Sequence, residues 1–471
     1  MMQCKSVRGE ASPESLWGTR SPHWRWSLAW YNFFLGGHRR KRGEGESTIL
    51  TPSRIARQRE DADSVLPRFH SSATDFAMIG RAESRRRGRV RDAFTPSRPV
   101  LDIHLFAGRK EVLQTLIRSI EDLRLHVVVY GDRGMGKTSM LHVVSYLARA
   151  AHYHVCYHSC GATTGFSDIF RAIAADIPLL YHAQHDPTAE NTERGGTIAE
   201  LLPPGDFGVN QLSEVLAHLS NTRVLIILDE FDRSPAGEFR RSIAELIKTL
   251  SDRDVRVQLL IGGVAGNLTE LIEHIPSIRR NIYGLRMPSM GSDEVREIIR
   301  IGESIGEIDF DGDAVDRLVA VANGYPYLAS LLSQYAGFAA IDRDADSVGL
   351  EDVGRATRQV FDEIGERLSD RTRTIVDGLI AQGDGPKLLA LAATAMASMG
   401  RIIPDKLTGW PAGADIGSYL GRLHQQGLLE AVPGEVEESV RFREEAVPTY
   451  VWIMHASGHA VELERPGEGT P

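Results

Sequence analysis

Leu125-His126-Val127-Val128-Val129-Tyr130 runs without a break into Gly131-Asp132-Arg133-Gly134-Met135-Gly136-Lys137-Thr138, and these residues decide how the rest of the chain is read. The first six are apolar and rich in β-branched side chains, the composition of a parallel strand buried on both faces. Ser139 to Ala151, after the loop, have helical composition. The order predicted is strand, glycine loop, helix. Glycines at 131, 134 and 136 let the loop take backbone angles that other residues resist, so that successive N–H groups turn inward at the positive end of the following helix. Such a cradle suits phosphates. Lys137 is placed to reach the β- and γ-phosphates, and the Thr138 hydroxyl, with Ser139 beside it, to meet a magnesium ion. The expected ligands are ATP and Mg2+.

A second run supports the first. Val224-Leu225-Ile226-Ile227-Leu228 is five bulky apolar residues ending in Asp229-Glu230-Phe231-Asp232. Acidic residues at the C-terminal end of a buried strand project into the crevice where open α/β sheets bind ligands. Asp229 is therefore expected to hold magnesium through water, and Glu230 to act as base or water-orienting group in attack on the γ-phosphate. Asp232 reads as a helix cap or a solvated charge. Between the two runs, alternation puts His154, Cys156, His158 and Cys160 on one face of a strand. Zinc is rejected there, because neighbouring ligands on one flat strand do not close a tetrahedron, and core packing is the better account.

Length and composition bound the class. A chain of 471 residues predicts about three domains, and 42% hydrophobic with 25% charged residues is the balance expected of a soluble globular protein. Three cysteines cannot build a disulfide framework, which points to a reducing cytoplasm. The longest apolar stretch, Trp26 to Gly37, is too short to cross a bilayer. Residues 1–98 hold 19 Lys and Arg against 10 Asp and Glu, which leaves 35 against 53 in the remainder. The first part reads as a basic, disordered tail, with arginine clusters at Arg39 to Arg42 and Arg85 to Arg91; a nucleic-acid arm is the other reading. Translation starting downstream, at Met78, is a third.

Phe106-Ala107-Gly108-Arg109-Lys110-Glu111, the glycine loop, the Asp229-Glu230 strand end and Gly324-Tyr325-Pro326-Tyr327-Leu328 follow one another in an order that resembles AAA+ ATPases of the origin-recognition-complex-like and STAND groups. The resemblance implies that Phe106, Gly108 and Arg109 lie beside the adenine. It also implies that Tyr325 and Pro326 belong to a helical lid closing over the base. Where many relatives carry a polar sensor at the tip of the next strand, this chain has Gly262 and Gly263, with Asn267 several residues late. His274 to Arg280 resembles the segment that presents an arginine to a neighbouring subunit, with Arg280 preferred over Arg279 by spacing. No arginine occurs from Gly324 to Gln334, so the lid sensor of some relatives is missing.

The expected fold is an α/β P-loop NTPase with a parallel sheet, followed by a helical lid and a winged-helix domain. The boundaries are 1–98 for the tail, 99–290 for the ATPase core, 291–368 for the lid, 369–460 for the winged-helix-like domain and 461–471 for a disordered end. Lid helices are expected at Ser292 to Ile305, Asp311 to Asn323, Pro326 to Ala340 and near Leu350 to Leu368. Helices at Lys387 to Met399, Pro404 to Leu407 and Ile416 to Gly427 follow, then strands at Leu428 to Val432 and Val440 to Arg443. The wing between those strands carries Glu435, Glu437 and Glu438, which repel phosphate, and the recognition helix offers only Arg422 and His424. A protein partner, or self-assembly through the ATPase core, is therefore favoured over DNA. Two functions follow: a nucleotide-dependent switch acting on a protein or an assembly, and a DNA-handling ATPase as the alternative.

Overall fold

The computed structural model describes residues 82–184, 195–265, 268–271, 278–432 and 439–458. A helix, α1 (Ala82–Ala93), comes first, and α2 (Lys110–Glu121) leads into strand β1 (His126–Gly131). With β2 (His154–Ser159), β3 (Val224–Asp229), β4 (Val257–Val264) and β5 (Ile282–Arg286) it forms one parallel sheet in the order β2-β3-β4-β1-β5. Val127 stands opposite Leu260 and Tyr283, and Ile226 opposite Leu259 and Cys156. Successive residues of β1 serve different cores: Val127 and Val129 face one, Val128 the other. Both faces of β3 are buried along its whole length, which is why its five apolar residues do not alternate with polar ones. Because every strand runs the same way, all five C-terminal ends meet at one edge, and the loop after β1 lies beside the acids after β3. Helices α3 (Lys137–Ala150), α4 (Phe166–Asp176), α5 (Val209–Ala217) and α6 (Glu238–Asp252) belong to the same unit.

The helices expected after the sheet are present. They are α7 (Ser292–Gly306), α8 (Gly312–Ala322), α9 (Pro326–Asp342) and α10 (Leu350–Gly365), with a two-residue parallel pair β6 (Asp309–Phe310) and β7 (Ser347–Val348) between them. Pro326 opens α9 at the position where its missing N–H costs nothing. Next come α11 (Asp370–Leu379), α12 (Gly385–Ala397), β8 (Arg401–Ile402), α13 (Ile416–Gln426), β9 (Leu429–Ala431), β10 (Val440–Phe442) and α14 (Val447–Ser457). The three strands pair antiparallel in the order β8-β10-β9.

Three expectations change. Pro404 to Leu407 is only a 3-10 turn, Pro404–Lys406, too short to nucleate an α-helix. Helices α11 and α14 were not anticipated; α14 is apolar on nearly every side because it packs between α10 and α12, which erases the period a sequence would show. The segment Pro433 to Glu438 lies outside the described residues.

The third change concerns the tail. Its last part is ordered: α1 packs on α7 and α9, with Val90, Ala93 and Phe94 buried in the same core as the lid. Phe94 fills the space left by Gly302, where a Cβ would come within 2.0 Å of its ring. Three arginines of the cluster are neutralised locally: Arg86 pairs with Asp344 and Asp346, Arg87 with Asp342 and Arg89 with Glu307. Phe94→Ala should therefore destabilise this part of the chain by about 3–5 kcal/mol, the range for truncating a buried aromatic. A lower urea midpoint, with earlier proteolysis within α1, is the expected readout, and an unchanged midpoint would show α1 to be loosely held.

The elements after α10 are fastened to the lid. Trp452 Nε1 donates to the Val321 carbonyl at 2.9 Å, Arg317 donates to the Ala456 carbonyl, and Phe361 stacks on Tyr450 at 4.9 Å. Contacts with the sheet are sparser and polar: Arg133 to Glu445 at 3.8 Å, both exposed, and Arg286 to the Ala397 carbonyl at 3.3 Å.

Candidate functional site

The loop after β1 has positive φ at all three glycines, 147° at Gly131, 79° at Gly134 and 78° at Gly136, which is what the cradle requires. Helix α3 starts at Lys137 with no acidic residue in its first turn. Lys137 is buried, and its Nζ donates to the carbonyls of Gly131 at 2.8 Å and Asp132 at 2.7 Å. Burial lowers its pKa to about 8, against the pull of Asp232, Asp132 and Asp229, so it remains charged at neutral pH. A buried ammonium whose partners are loop carbonyls suits a phosphate.

Asp229 is buried at the end of β3, where it accepts from Tyr157 Oη at 2.7 Å and from the Glu230 N–H at 2.8 Å. Both oxygens keep a lone pair for a hydrated cation. Glu230 has a left-handed backbone, φ 51°, and its carboxylate pairs with Arg233 at 2.7 Å. Asp232 is neither helix cap nor solvated charge: its Oδ1 accepts the Val264 N–H at 2.8 Å, closing the end of β4. The glycines at the strand tip leave room for packed leucines as well as for the two carboxylates. A Cβ at Gly262 would lie 2.5 Å from Leu141 Cδ1 and 3.1 Å from Asp229 Oδ1, and one at Gly263 would lie 2.8 Å from Leu271 Cδ2 and 3.1 Å from Asp232 Oδ1. Asn267 lies outside the described residues.

Gly134, Gly136, Lys137, Thr138 and Ser139 line a cleft of about 370 Å³ together with Asp229, Glu230 and Pro326. A smaller cavity of about 70 Å³ shares Gly136, Ser139 and Pro326 with it and adds Phe106, Arg109 and Met135. The structure thus brings together most of the residues singled out in the sequence. The cleft and its donors fit Mg-ATP: Lys137 and the loop amides for the phosphates, Thr138 and Asp229 for the ion, which would supply charge neutralisation between phosphates.

Arg109 does more than line a wall. Its guanidinium donates to the Pro288 carbonyl at 2.9 Å, and burial lowers its pKa to about 10 against the nearby Glu294. The N–H groups of Gly108 and Arg109 donate to Glu297 and Glu294 of α7, so this box joins core to lid. Lid and loop also touch directly. The Tyr327 N–H donates to the Gly134 carbonyl at 3.3 Å, and Tyr325 Oη donates to the Met396 carbonyl at 2.8 Å while lying 3.4 Å from Asp132. Burial pushes the Asp132 carboxyl up to about 6.

Other placements depart from expectation. Arg279 and Arg280 are exposed just before β5, at the sheet edge opposite the glycine loop and roughly 20 Å of strand away. The structure does not bring Arg280 to its own site, and His274 to Ser277 lie outside the described residues. Cys156 and Cys160 are buried thiols, each pushed up to about 12 by burial, and His158 pairs with Asp176. Sequence reasoning fixed on that face of β2 and missed Tyr157 on the other face, the residue that reaches Asp229; the same alternation would have found it. It also missed Arg367, which donates to Tyr327 Oη at 2.7 Å on the cleft wall.

Fold and site together define a P-loop NTPase. Residues 105–261 match the family model described as AAA ATPase domain. No curated protein matches the chain. Among solved structures, the RuvB Holliday junction branch migration motor of Thermotoga maritima is similar at 19% identity, covering 72% of this chain and 93% of that one, with a TM-score of 0.39. Cdc6p of Pyrobaculum aerophilum gives 16%, 78%, 98% and 0.41, and the ORC2 protein of Aeropyrum pernix gives 16%, 77%, 97% and 0.39. Among the described residues no helix is long and apolar enough to cross a membrane.

Proposed function

We propose that the chain is a nucleotide-dependent switch of the AAA+/STAND kind, binding Mg-ATP at Gly131 to Ser139, hydrolysing it with Glu230, and acting on a protein partner or an assembly. The observation that carries this is the shared cleft. Its wall is built from the ATPase core (Lys137, Asp229, Glu230) and from the lid (Pro326, Tyr327, Ser330), so a nucleotide filling it has differential contacts with open and closed arrangements. Phosphate binding by Lys137 needs its ammonium to exchange loop carbonyls for phosphate oxygens. Activation of water by Glu230 needs its carboxylate to leave Arg233.

The DNA-handling alternative has less support in the winged-helix-like part. Arg422 pairs with the buried Asp384, and Arg441 and Arg443 pair with Glu430, so these cations are locally neutralised. Salt-insensitive or absent binding of duplex DNA by the whole chain is expected, and tight binding that falls steeply with salt would favour the alternative.

Assembly is tested through Arg280. Lying far from its own glycine loop, it acts on nucleotide only in a neighbour's site. Turnover per subunit should then rise with protein concentration, and mixing Arg280→Ala with Glu230→Gln subunits should restore activity that neither has alone. Constant turnover across a wide concentration range, with full activity of Arg280→Ala, would make Arg280 ordinary surface charge.

A further inference from the structure

The segment between α1 and the fold, Thr95-Pro96-Ser97-Arg98-Pro99-Val100, is held at both ends across the nucleotide cleft. At one end Phe94 is sunk in the lid core, and its carbonyl accepts from Gln334 of α9. At the other end the Val100 N–H donates to Ser139 Oγ at 3.0 Å, on the first turn of α3. Between them the Arg98 N–H donates to the Thr95 carbonyl at 3.3 Å, and prolines on either side restrict the backbone. The strap is therefore short, stiff and tied to lid and core at once.

Every residue of the strap lines the cleft, Arg98 among them. Four cationic side chains line it altogether, and three are engaged: Lys137 with loop carbonyls, Arg233 with Glu230 and Arg133 with Glu445. Arg98 is exposed, and its guanidinium has no partner among the described residues. A planar fork of donors on a stiff strap, in a cleft whose other cations are committed, suits the oxygens of a polyphosphate.

We propose that Thr95 to Val100 is a wall of the nucleotide site and that Arg98 supplies a guanidinium, from the same chain, to the phosphates of bound ATP. This rests on the ATP-binding reading above. It makes the segment before the AAA ATPase domain part of the site, and it gives each subunit a cation for its own nucleotide that does not depend on a neighbour.

The test uses the whole chain and fluorescent ATP and ADP analogues with Mg2+, comparing the unmodified protein with Arg98→Ala, Arg98→Lys and Lys137→Ala. Removing a charged donor to phosphate should weaken ATP binding about tenfold or more in Arg98→Ala. ADP should be affected less, Arg98→Lys should recover part of the loss, and the melting temperature should not move. The loss should be the same at low and high protein concentration, unlike an effect of Arg280. ATP and ADP affinities of Arg98→Ala equal to those of the unmodified chain, with binding lost in Lys137→Ala, would overturn the role of Arg98 and leave the ATP reading standing. An equal loss in Arg98→Ala and Arg98→Lys with a lowered melting temperature would also overturn it, because the strap would then be structural only. Failure of the unmodified chain to bind ATP overturns both.

Discussion

Lys137→Ala is expected to lower ATP affinity by on the order of 100-fold or to abolish measurable binding, since each hydrogen bond to a charged group contributes about 1.5–3 kcal/mol and this ammonium serves two phosphates. Its side chain is buried at the floor of the cleft and donates only within its own loop, to Gly131 and Asp132. Removing it leaves the sheet, the helix start and the lid contacts in place. The fold should persist, as read by an unchanged circular dichroism spectrum beside equilibrium binding of ATP. Wild-type affinity in this variant would remove Gly131 to Thr138 from the nucleotide site.

Glu230→Gln has a different expected signature: ATP binding within about threefold of the parent, and turnover lower by roughly 100- to 10,000-fold, the span attributed to a positioned general base. The amide keeps the length of the side chain and its place after β3. It loses the pair with Arg233, but that pair is exposed and is worth little in stability. Binding and single-turnover hydrolysis of radiolabelled ATP separate the two effects. Hydrolysis at the parent rate would take Glu230 out of the chemistry.

What the sequence shows best is what local chemistry over-determines. The glycine loop could be read because three glycines, a lysine and a threonine have few other reasons to stand in that spacing after a β-branched run. β3 could be read because five bulky residues without alternation need two buried faces. The lid helices are legible within about three residues: α7, α8 and α10 by apolar stripes that face one core, and α9 by Pro326 at its start and its long apolar run. Helix α1 was illegible for the converse reason: AESRRRGRVRDA shows almost no apolar stripe, and its order comes from the acids of the lid and from Phe94 filling the space at Gly302, both distant in the chain. Asp232 was misread because its partner, the Val264 N–H, is brought to it only by the parallel pairing of β3 with β4.

Tyr325 stands between Asp132 of the glycine loop and Met396 of the C-terminal part, and its two contacts are unequal, a 3.4 Å approach on the loop side and a 2.8 Å hydrogen bond on the other. The same inequality runs through the whole seam. On the lid side lie stacked rings and buried apolar helices, whose separation would expose core. On the sheet side lie one exposed ion pair, one arginine on a carbonyl and this long contact, all replaceable by water at small cost. If the cleft gapes, the elements after α10 part from the sheet along that seam and follow the lid to which they are fastened. A few degrees of rotation at the phosphates then becomes a displacement of several ångströms at the far end of the three-stranded sheet, where β9 and β10 lead into the acidic connection between them.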